Sequence, residues 1–466
     1  MRLQEFALAV PLLLLAGCAT FSEDGGFGAV QQVARERLDK EVRWVRGEAD
    51  AQSVRASLAP LLASPLTIDA AVQIALLNNP GLQAAYAELG IAEADLVQAG
   101  RLRGPGISFA RLRRGGEIEV ERTFIFDLLG LITMPMVTRL EGRRFEQAQL
   151  LVSANVVRVA AETRRAWVRA VAAQEAAKYG EQVMAAAETS AELARRMTAA
   201  GNISRLTQMR EQVFYAEATA QVARARQAAV AEREGLTRLL GLWGPDSAFR
   251  LPERLPELPG ETKELPDIEA LALKQRLDVQ AARRETESVA QSLGLTRATR
   301  FINVLELGYA HNTETGKPRQ TGYEIELRLP LFDWGSARVA KAQAIYMQSL
   351  QRAAEVAVNA RSEVREAYLA YRTAFDVARH YRDEIVPLRK KISEENTLRY
   401  SGMLISVFEL LADAREQVAS VTGYLDALRA FWLAESALQA SLTGRAGPTA
   451  SLSAGSAPAP AAALGH

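Results

Sequence analysis

The feature that most constrains the fold of this chain is an internal duplication. The tripeptide Arg-Glu-Gln occurs at 210–212 and again at 415–417, each time shortly after a glycine and a serine in an Ala-rich helical pattern. The copies lie roughly 200 residues apart, far more than the 20 to 50 residues of solenoid repeats. We therefore predict a body of two equivalent halves. Each half reads as a helix, two short strands, a very long helix, a tight turn and a long return helix.

Composition excludes several classes of function. The formal net charge is +1, and no basic face or stripe indicates a nucleic-acid partner. Three histidines and one cysteine supply neither a zinc site nor a disulfide. The chain also lacks a histidine-centred triad pattern and a G-x-S-x-G elbow. The sequence predicts no enzyme, no cofactor and no metal site.

The first residues have the pattern of a secretory signal. Arg2 precedes an apolar stretch that is too short to span a bilayer. The stretch ends at Leu15-Ala16-Gly17-Cys18, which resembles the lipobox of bacterial lipoproteins. The resemblance implies removal of 1–17 and attachment of acyl chains such as palmitate to Cys18, while Ala19 in the next position favours the outer membrane. The alternative is an ordinary signal peptide that leaves Cys18 as a free thiol.

Breaks in the helical patterns divide the rest of the chain. Thr67 is a helix N-cap signal before an apolar-periodic run that continues through Leu89. Five prolines interrupt the middle of the chain, and the end is rich in Ala, Ser, Pro and Gly. The predicted segments are a lipidated N-terminal segment (18–64), a first repeat (65–241), a Pro-rich linker (242–266), a second repeat (267–444) and a disordered tail (445–466).

Strand patterns occur in both repeats. The second repeat has runs at 302–310 and 322–329, and the later run alternates strictly between apolar and charged side chains. Its two faces are Tyr323, Ile325, Leu327 and Leu329 on one side, and Glu324, Glu326 and Arg328 on the other. Residues 117–121 alternate in the same way, with Ile118 and Val120 opposite three glutamates. Both a half-solvated sheet and a transmembrane barrel with an aqueous lumen show this pattern.

Two very long helices follow the strands. We predict them at about 136–200 and 337–400, with Pro387 as a kink in the second. Turns at Gly201 and Gly402 send the chain back in return helices that end near residues 241 and 444. Glycine is expected to supply each turn, and Ser204 and Ser406 are expected to cap the return helices.

The order of these features, together with local text, resembles the TolC-type outer-membrane efflux channels. The matching text is Leu66-Thr67-Ile68-Asp69-Ala70-Ala71 with Asn78-Asn79-Pro80-Gly81-Leu82, Leu329-Pro330-Leu331-Phe332-Asp333-Trp334-Gly335, and Tyr400-Ser401-Gly402. The resemblance implies a mainly α protein with a transmembrane β part. In that family three chains close one β-barrel in outer-membrane lipid, each with four strands, and continue it as an α-helical tunnel across the periplasm. The implied function is a passive exit duct in a tripartite system, with a periplasmic adaptor and an inner-membrane pump as partners.

The resemblance also assigns candidate site residues. The adaptor-docking tips are Gly201, Ile203, Ser204, Gly402, Ile405 and Ser406. The pore-lumen glutamates are Glu117, Glu119, Glu121, Glu324 and Glu326, and their charge favours cations. The family's gating aspartate position holds Ala412, with Asp413 next to it, so Asp413 is either part of a modified gate or, as we favour, a surface charge. Glu409 and Arg415 are further gate candidates because their helical spacing lets them interact.

Other functions fit less well. A lipid-anchored periplasmic adaptor also has long helical hairpins, but duplicated strand pairs and the absence of a second Gly-rich β module disfavour it. A periplasmic hydrolase is disfavoured by the missing catalytic patterns. The cargo, whether drugs, metal ions or other molecules, is not readable from the sequence.

Overall fold

The structure, a computed structural model, describes residues 20–301, 304–328 and 334–444. The chain divides into two compact units. Of the described residues, the first comprises 20–30, 85–153 and 278–358, and it contains the sheet. The second comprises 31–84, 154–277 and 359–444, and it contains the ends of the long hairpins. Each unit takes a part of each repeat, and the repeat boundaries stay a prediction.

The elements follow the predicted order in each half. The first half contains α1 (Phe27–Leu38), α2 (Glu48–Leu62), α3 (Ile68–Asn78), α4 (Pro80–Ala99), β1 (Gly106–Arg114), β2 (Glu117–Asp127), α5 (Leu128–Ala199) and α6 (Arg205–Leu240). The second contains α7 (Ile268–Gln275), α8 (Leu277–Ala298), β3 (Val304–Glu314), β4 (Gln320–Arg328), α9 (Ser336–His380), α10 (Val386–Ser401) and α11 (Val407–Thr443). Within the linker, the structure has one short 3-10 helix at Gly244–Ala248.

The opening helix of the first repeat begins where its cap predicts, but it is broken once. The Thr67 hydroxyl accepts a hydrogen bond from the backbone N–H of Ala70, as expected of an N-cap. The apolar pattern predicted one helix through Leu89, whereas the structure ends α3 at Asn78 and begins α4 at Pro80. Asn79 is extended because a residue before proline is driven out of the α region.

The two repeats use equivalent devices to hold their return helices. The Asn79 side chain donates to the carbonyl of Leu239, which satisfies one of the unpaired carbonyls at the end of α6. In the second repeat, Arg276 stands at the same break and donates to the carbonyl of Ser441 near the end of α11. Arg276 is 2% exposed and also forms an ion pair with Glu363, so its charge is matched.

The four strands form one antiparallel sheet in the order β1-β2-β3-β4. The strands of the second repeat differ from their predicted bounds, since β3 extends to Glu314 and β4 begins at Gln320. Polar residues that lie between the two predicted strand runs therefore lengthen the ladder, with Asn312 opposite Gln320. Their backbone hydrogen bonds outweigh the low strand propensity of such residues.

The first long helix begins earlier than predicted. It starts at Leu128 because the Asp127 carboxylate accepts a hydrogen bond from the N–H of Gly130 at 2.7 Å, which caps it. Pro135, one residue before the predicted start, lies inside α5.

The second long helix is interrupted close to the predicted proline kink. Five residues, Tyr381–Ile385, form a π-helical segment between α9 and α10, and Pro387 is the second residue of α10. Proline cannot donate to the preceding turn, and a wider turn removes the clash of its ring. Gly423 on α11 makes room for this segment, since a Cβ there would lie 2.7 Å from the Tyr381 ring.

Several predictions fall outside the described residues. They are the signal peptide 1–17, the lipidation site Cys18, Leu329 on the apolar face and the tail 445–466. Among the helices that the structure describes, none combines the length and the apolar character needed to cross a bilayer.

Candidate functional site

The sheet has two chemically different faces. Strand side chains alternate, and the register aligns the alternation across all four strands. One face, here called the apolar face, exposes large hydrophobic side chains at the end where the helices attach. These are Ile107, Phe109, Phe124, Phe126, Tyr309, Tyr323, Ile325 and Leu327. Such contiguous exposed apolar area indicates contact with lipid or protein.

The opposite face, here called the carboxylate face, carries every acidic side chain of the strands. The register brings the five predicted glutamates together: Glu117, Glu119, Glu121, Glu324 and Glu326. It adds three that the sequence analysis missed: Asp127, Glu306 and Glu314. Continuing the alternation of side chains along the full lengths of β2 and β3 places all three on this face. That this face lines a pore stays a prediction.

Like charges meet directly across neighbouring strands of the carboxylate face. Glu306 lies opposite Glu326, and Glu119 lies opposite Glu314. Such pairs destabilise a sheet unless water or cations screen them. Near the β3–β4 loop, Lys317 donates to Glu314 at 2.7 Å, and this bond, with the charges of Glu117 and Glu119, raises the pKa of Lys317. The arrangement suits a hydrated surface. In the described part of the chain, no three metal-ligating side chains converge on one point.

The first hairpin ends in the predicted glycine turn. Gly201 has a φ of +78°, a left-handed conformation that glycine adopts freely. Its N–H donates to Thr198, and the Asn202 N–H donates to Met197 five residues back, as in a Schellman turn. The Ser204 hydroxyl accepts from the N–H of Thr207 and caps α6.

The second hairpin has the same turn with different residues, and the prediction that Gly402 supplies it is wrong. Gly402 has a φ of −81°, and Met403 takes the left-handed conformation with a φ of +60°. The Met403 N–H donates to Tyr400 and the Leu404 N–H to Arg399, so Met403 stands where the first tip has Gly201. At both tips the left-handed residue stands three positions before the serine that caps the return helix. In the second hairpin that position is Met403, because Gly402 stands four positions before Ser406.

The two tips consequently present different surfaces. Met403 is 93% exposed and Leu404 is 78% exposed, whereas the first tip has a glycine and an asparagine in these positions. Ile203 and Ile405 are half-buried at both tips. A left-handed methionine costs roughly 1–2 kcal/mol, so the second tip keeps an exposed apolar pair of which Met403 is strained.

The gate candidates do not interact as predicted. Glu409 is the third residue of α11 and exchanges hydrogen bonds with Ser406 in a capping box, so it does not pair with Arg415. Asp413 is 8% exposed, and the preference for a surface charge is therefore wrong. Its Oδ2 has no hydrogen-bond partner among the residues described.

Arg415 instead connects the two hairpins. Its guanidinium donates to Glu211 of α6 at 2.5 Å and lies 4.5 Å from the centre of the Phe214 ring. Glu211 is 4% exposed, and its second carboxylate oxygen accepts from Ser190 of α5 at 2.8 Å. The sequence analysis did not identify Glu211. The available signal was the repeated tripeptide Arg-Glu-Gln, since Glu211 lies in its first copy and Arg415 in its second.

Comparison with curated proteins gives one significant similarity. The sequence profiles of known families do not match the chain. The cobalt-zinc-cadmium resistance protein CzcC of Cupriavidus metallidurans is 26% identical over 274 residues. The alignment covers 58% of this chain and 64% of CzcC, so the similarity spans slightly less than two thirds of the curated relative.

Comparison with solved structures is more extensive. One match is CusC, whose crystal structures concern the conformational changes that accompany folding and transmembrane channel formation. It superimposes with a TM-score of 0.68 at 17% identity, over 81% of this chain and 92% of CusC. The outer-membrane channel OprN gives 0.69 at 20% identity, over 82% and 91%. The Campylobacter jejuni outer-membrane channel CmeC gives 0.65 at 16% identity, over 91% and 92%. The predicted fold class and the resemblance to TolC-type channels are confirmed at the level of the fold.

Proposed function

We propose that this chain, which has the fold of the outer-membrane efflux channels, is the outer-membrane channel of a tripartite efflux system. It conducts substrates passively, catalyses no reaction, and depends on an inner-membrane pump for energy. The observation that carries this proposal is the two-faced sheet. A surface of exposed apolar side chains backed by eight carboxylates suits a wall between lipid and water.

The edges of the sheet support assembly into a homotrimer. The sheet has four strands, and its outer strands β1 and β4 each leave one edge unpaired within the chain. Backbone groups exposed to hydrocarbon must find partners, so an open sheet does not persist in a bilayer. In the proposed trimer each open edge pairs with a neighbouring copy, and three sheets close one barrel in the outer membrane.

The carboxylate face supports a cationic cargo. A ring of acidic side chains makes a pore prefer cations, and three copies multiply the eight carboxylates around one lumen. The name of the relative CzcC refers to cobalt, zinc and cadmium. We assign divalent metal cations to this chain as the substrate class.

Single-channel recording tests the function and the lumen assignment together. The purified protein in a planar bilayer should give discrete conductance steps, and its reversal potential in a salt gradient should indicate cation preference. Glu324→Gln with Glu326→Gln should move the reversal potential toward zero, while Glu253→Gln in the linker should leave it unchanged. An absence of conductance contradicts the channel, and an anion preference contradicts the lumen assignment alone.

The hairpin tips are the proposed contact with a periplasmic adaptor. Gly201, Ile203 and Ser204 form the first tip, and Ile405 and Ser406 belong to the second. The unequal exposure of the tips supports a division of roles, in which Met403 and Leu404 provide the apolar part of the contact. The pair of buried Glu211 and half-buried Arg415, with Asp413, is the proposed element that holds the hairpins together at the gate.

A lipid anchor at Cys18 completes the proposed localisation. Phe21 lies against the Arg101 guanidinium, and Ser22 donates to Glu93, which holds the first described residues near the start of β1. Acyl chains on Cys18 would therefore enter the bilayer near the helix-attached end of the sheet. Mass spectrometry of the mature amino-terminal peptide should show an acylated Cys18, and Cys18→Ser should weaken membrane retention without preventing trimer assembly. An unmodified Cys18 would refute the anchor.

A further inference from the structure

The apolar face changes character along the strands. Its helix-attached end carries only hydrophobic and aromatic side chains, but the end near the β1–β2 turn carries Arg111, Arg113 and Arg122. In the register, Arg122 lies opposite Phe109, while Arg111 and Arg113 lie opposite Val120 and Ile118 on the same face. The three arginines therefore continue the apolar surface.

These arginines have no negative partner within the sheet. Every strand carboxylate is on the opposite face, where the neighbouring Arg114 lies across from Glu117. No ion pair involves Arg111, Arg113 or Arg122 in the described chain, and the one side-chain hydrogen bond among them runs from Arg113 to the Gly115 carbonyl. Arg111 and Arg113 are exposed, and Arg122 is half-buried.

Strand geometry places the three side chains close enough to share a ligand. Arg111 and Arg113 are two residues apart on one strand, a spacing of about 6.6 Å. Arg111 and Arg122 are diagonal neighbours on paired strands, about 7–8 Å apart. Three like charges at these distances repel one another, and an anion among them relieves that repulsion where lipid excludes the screening water. Guanidinium groups match the geometry of phosphate particularly well.

The depth of the cluster indicates the source of the anion. Side chains of the apolar face that lie opposite one another on paired strands form rows across the sheet, and successive rows are two residues apart along a strand. Arg122 lies three rows beyond the row of Leu327, which is about 20 Å along the strand. Arg113 lies five rows beyond it, about 33 Å along the strand. Strands tilted by about 40° reduce these heights to roughly 15 and 25 Å, and the apolar band of such barrels is about 25 Å tall. Arg113 therefore lies at the outer edge of that band, where arginine is tolerated. Arg122 is half-buried and lies about 10 Å below that edge, so its long side chain must extend toward Arg111 to reach the headgroups.

We propose that Arg111, Arg113 and Arg122 form a binding site for the phosphate groups of anionic lipid headgroups at the outer end of the apolar face. The inference rests on the proposed function, because it requires this face to meet lipid. It adds a ligand site outside the pore. The site joins the apolar belt without a gap, so a lipid whose chains cover Ile107 and Phe109 places its headgroup among the arginines.

The test uses full-length trimers in phosphatidylcholine nanodiscs that contain either diphosphorylated lipid A or its dephosphorylated form. Native mass spectrometry after detergent extraction counts the retained lipid. The wild-type protein should retain only the phosphorylated lipid. Because each basic side chain near an anionic surface contributes roughly a fivefold gain in affinity, replacing all three arginines with glutamine should lower the affinity on the order of 100-fold. The matched control Arg114→Gln, on the carboxylate face, should bind normally.

Several results would overturn the inference. They are equal retention of both lipids, unchanged retention by the triple variant, and displacement of the lipid by millimolar inorganic phosphate, which would indicate a site for free anions. If the triple variant fails to form trimers, Arg113→Gln alone should still lower the affinity about fivefold, since its side chain is exposed. Trimers that insert and conduct but do not retain the lipid contradict this site alone. Failure of the wild-type protein to insert contradicts the proposed function as well.

Discussion

The left-handed methionine at the second hairpin tip leads to a quantitative prediction for Met403→Gly. A side chain in this conformation costs about 1–2 kcal/mol, and glycine removes that cost. Glycine also gives the unfolded chain more freedom, which costs about 0.4–1 kcal/mol. The difference leaves the variant turn more stable by about 0.5–1 kcal/mol. A substitution that deletes a side chain is thus expected to strengthen its turn.

Amide hydrogen exchange measures this local stability directly. The Leu404 N–H donates to the Arg399 carbonyl at 2.8 Å, and it exchanges when the turn opens. In Met403→Gly its exchange should slow by about two- to fivefold, at 1.4 kcal/mol per factor of ten. The matched control is Gly201→Met at the first tip, where the same strain is introduced. There the Asn202 amide, which donates to Met197, should exchange faster by a similar factor.

The paired variants make the reasoning refutable. If Met403→Gly leaves the exchange of Leu404 unchanged while Gly201→Met accelerates that of Asn202, the strain assigned to Met403 is absent. Transport provides a second readout, because the proposed adaptor contact uses the exposed methionine. Met403→Gly should then reduce efflux although the turn is more stable, and efflux at the wild-type level would exclude Met403 from the contact.

Two further predictions concern buried charges of the helical part. Arg415→Met leaves the Glu211 carboxylate buried without its cation and should lower the free energy of unfolding by about 3–5 kcal/mol, against about 0–1 kcal/mol for Arg389→Met from the exposed pair with Glu416. Urea unfolding followed by helical circular dichroism measures both, and equal costs would contradict the assignment of a buried pair. Burial raises the pKa of the Glu435 carboxyl above its ordinary value of 4.5, so the folded protein favours the protonated carboxyl. This contribution to the free energy of unfolding is lost as the pH rises through the higher pKa of the folded state. Glu435→Gln should therefore stabilise the protein more at pH 7 than at pH 4, and a gain independent of pH would count against the raised pKa.

Local signals in the sequence predicted much of this fold. The caps at Thr67, Ser204 and Ser406 depend on side chains within three residues of the helix start, and all three are confirmed. The alternation of Glu324 and Glu326 with apolar residues placed both glutamates on one face, as the register shows. In each case the interaction that decides the conformation lies within a few residues.

Most of the errors occurred where distant parts of the chain decide, and the turn at the second tip is the local exception. Arg415 pairs with a residue of the other repeat, and Asp413 is buried by packing that helical periodicity does not specify. At the second tip, Gly402 is the residue most easily placed in a left-handed turn, but the distance to the Ser406 cap moves that conformation to Met403. The length of β3 likewise depends on pairing with β4, which a single strand does not reveal.

The two unpaired edges of the sheet also set the order of events in biogenesis. A lone chain that reached the bilayer would expose backbone groups along β1 and β4 to hydrocarbon and place eight carboxylates against it. In the proposed trimer both penalties disappear, because neighbouring copies close the sheet around water. Insertion and association are therefore expected to be a single kinetic step, whose rate depends steeply on the concentration of unassembled chains. Until that step, the solitary chain is a candidate for aggregation through the same edges, and something in the cell must cover them during transit.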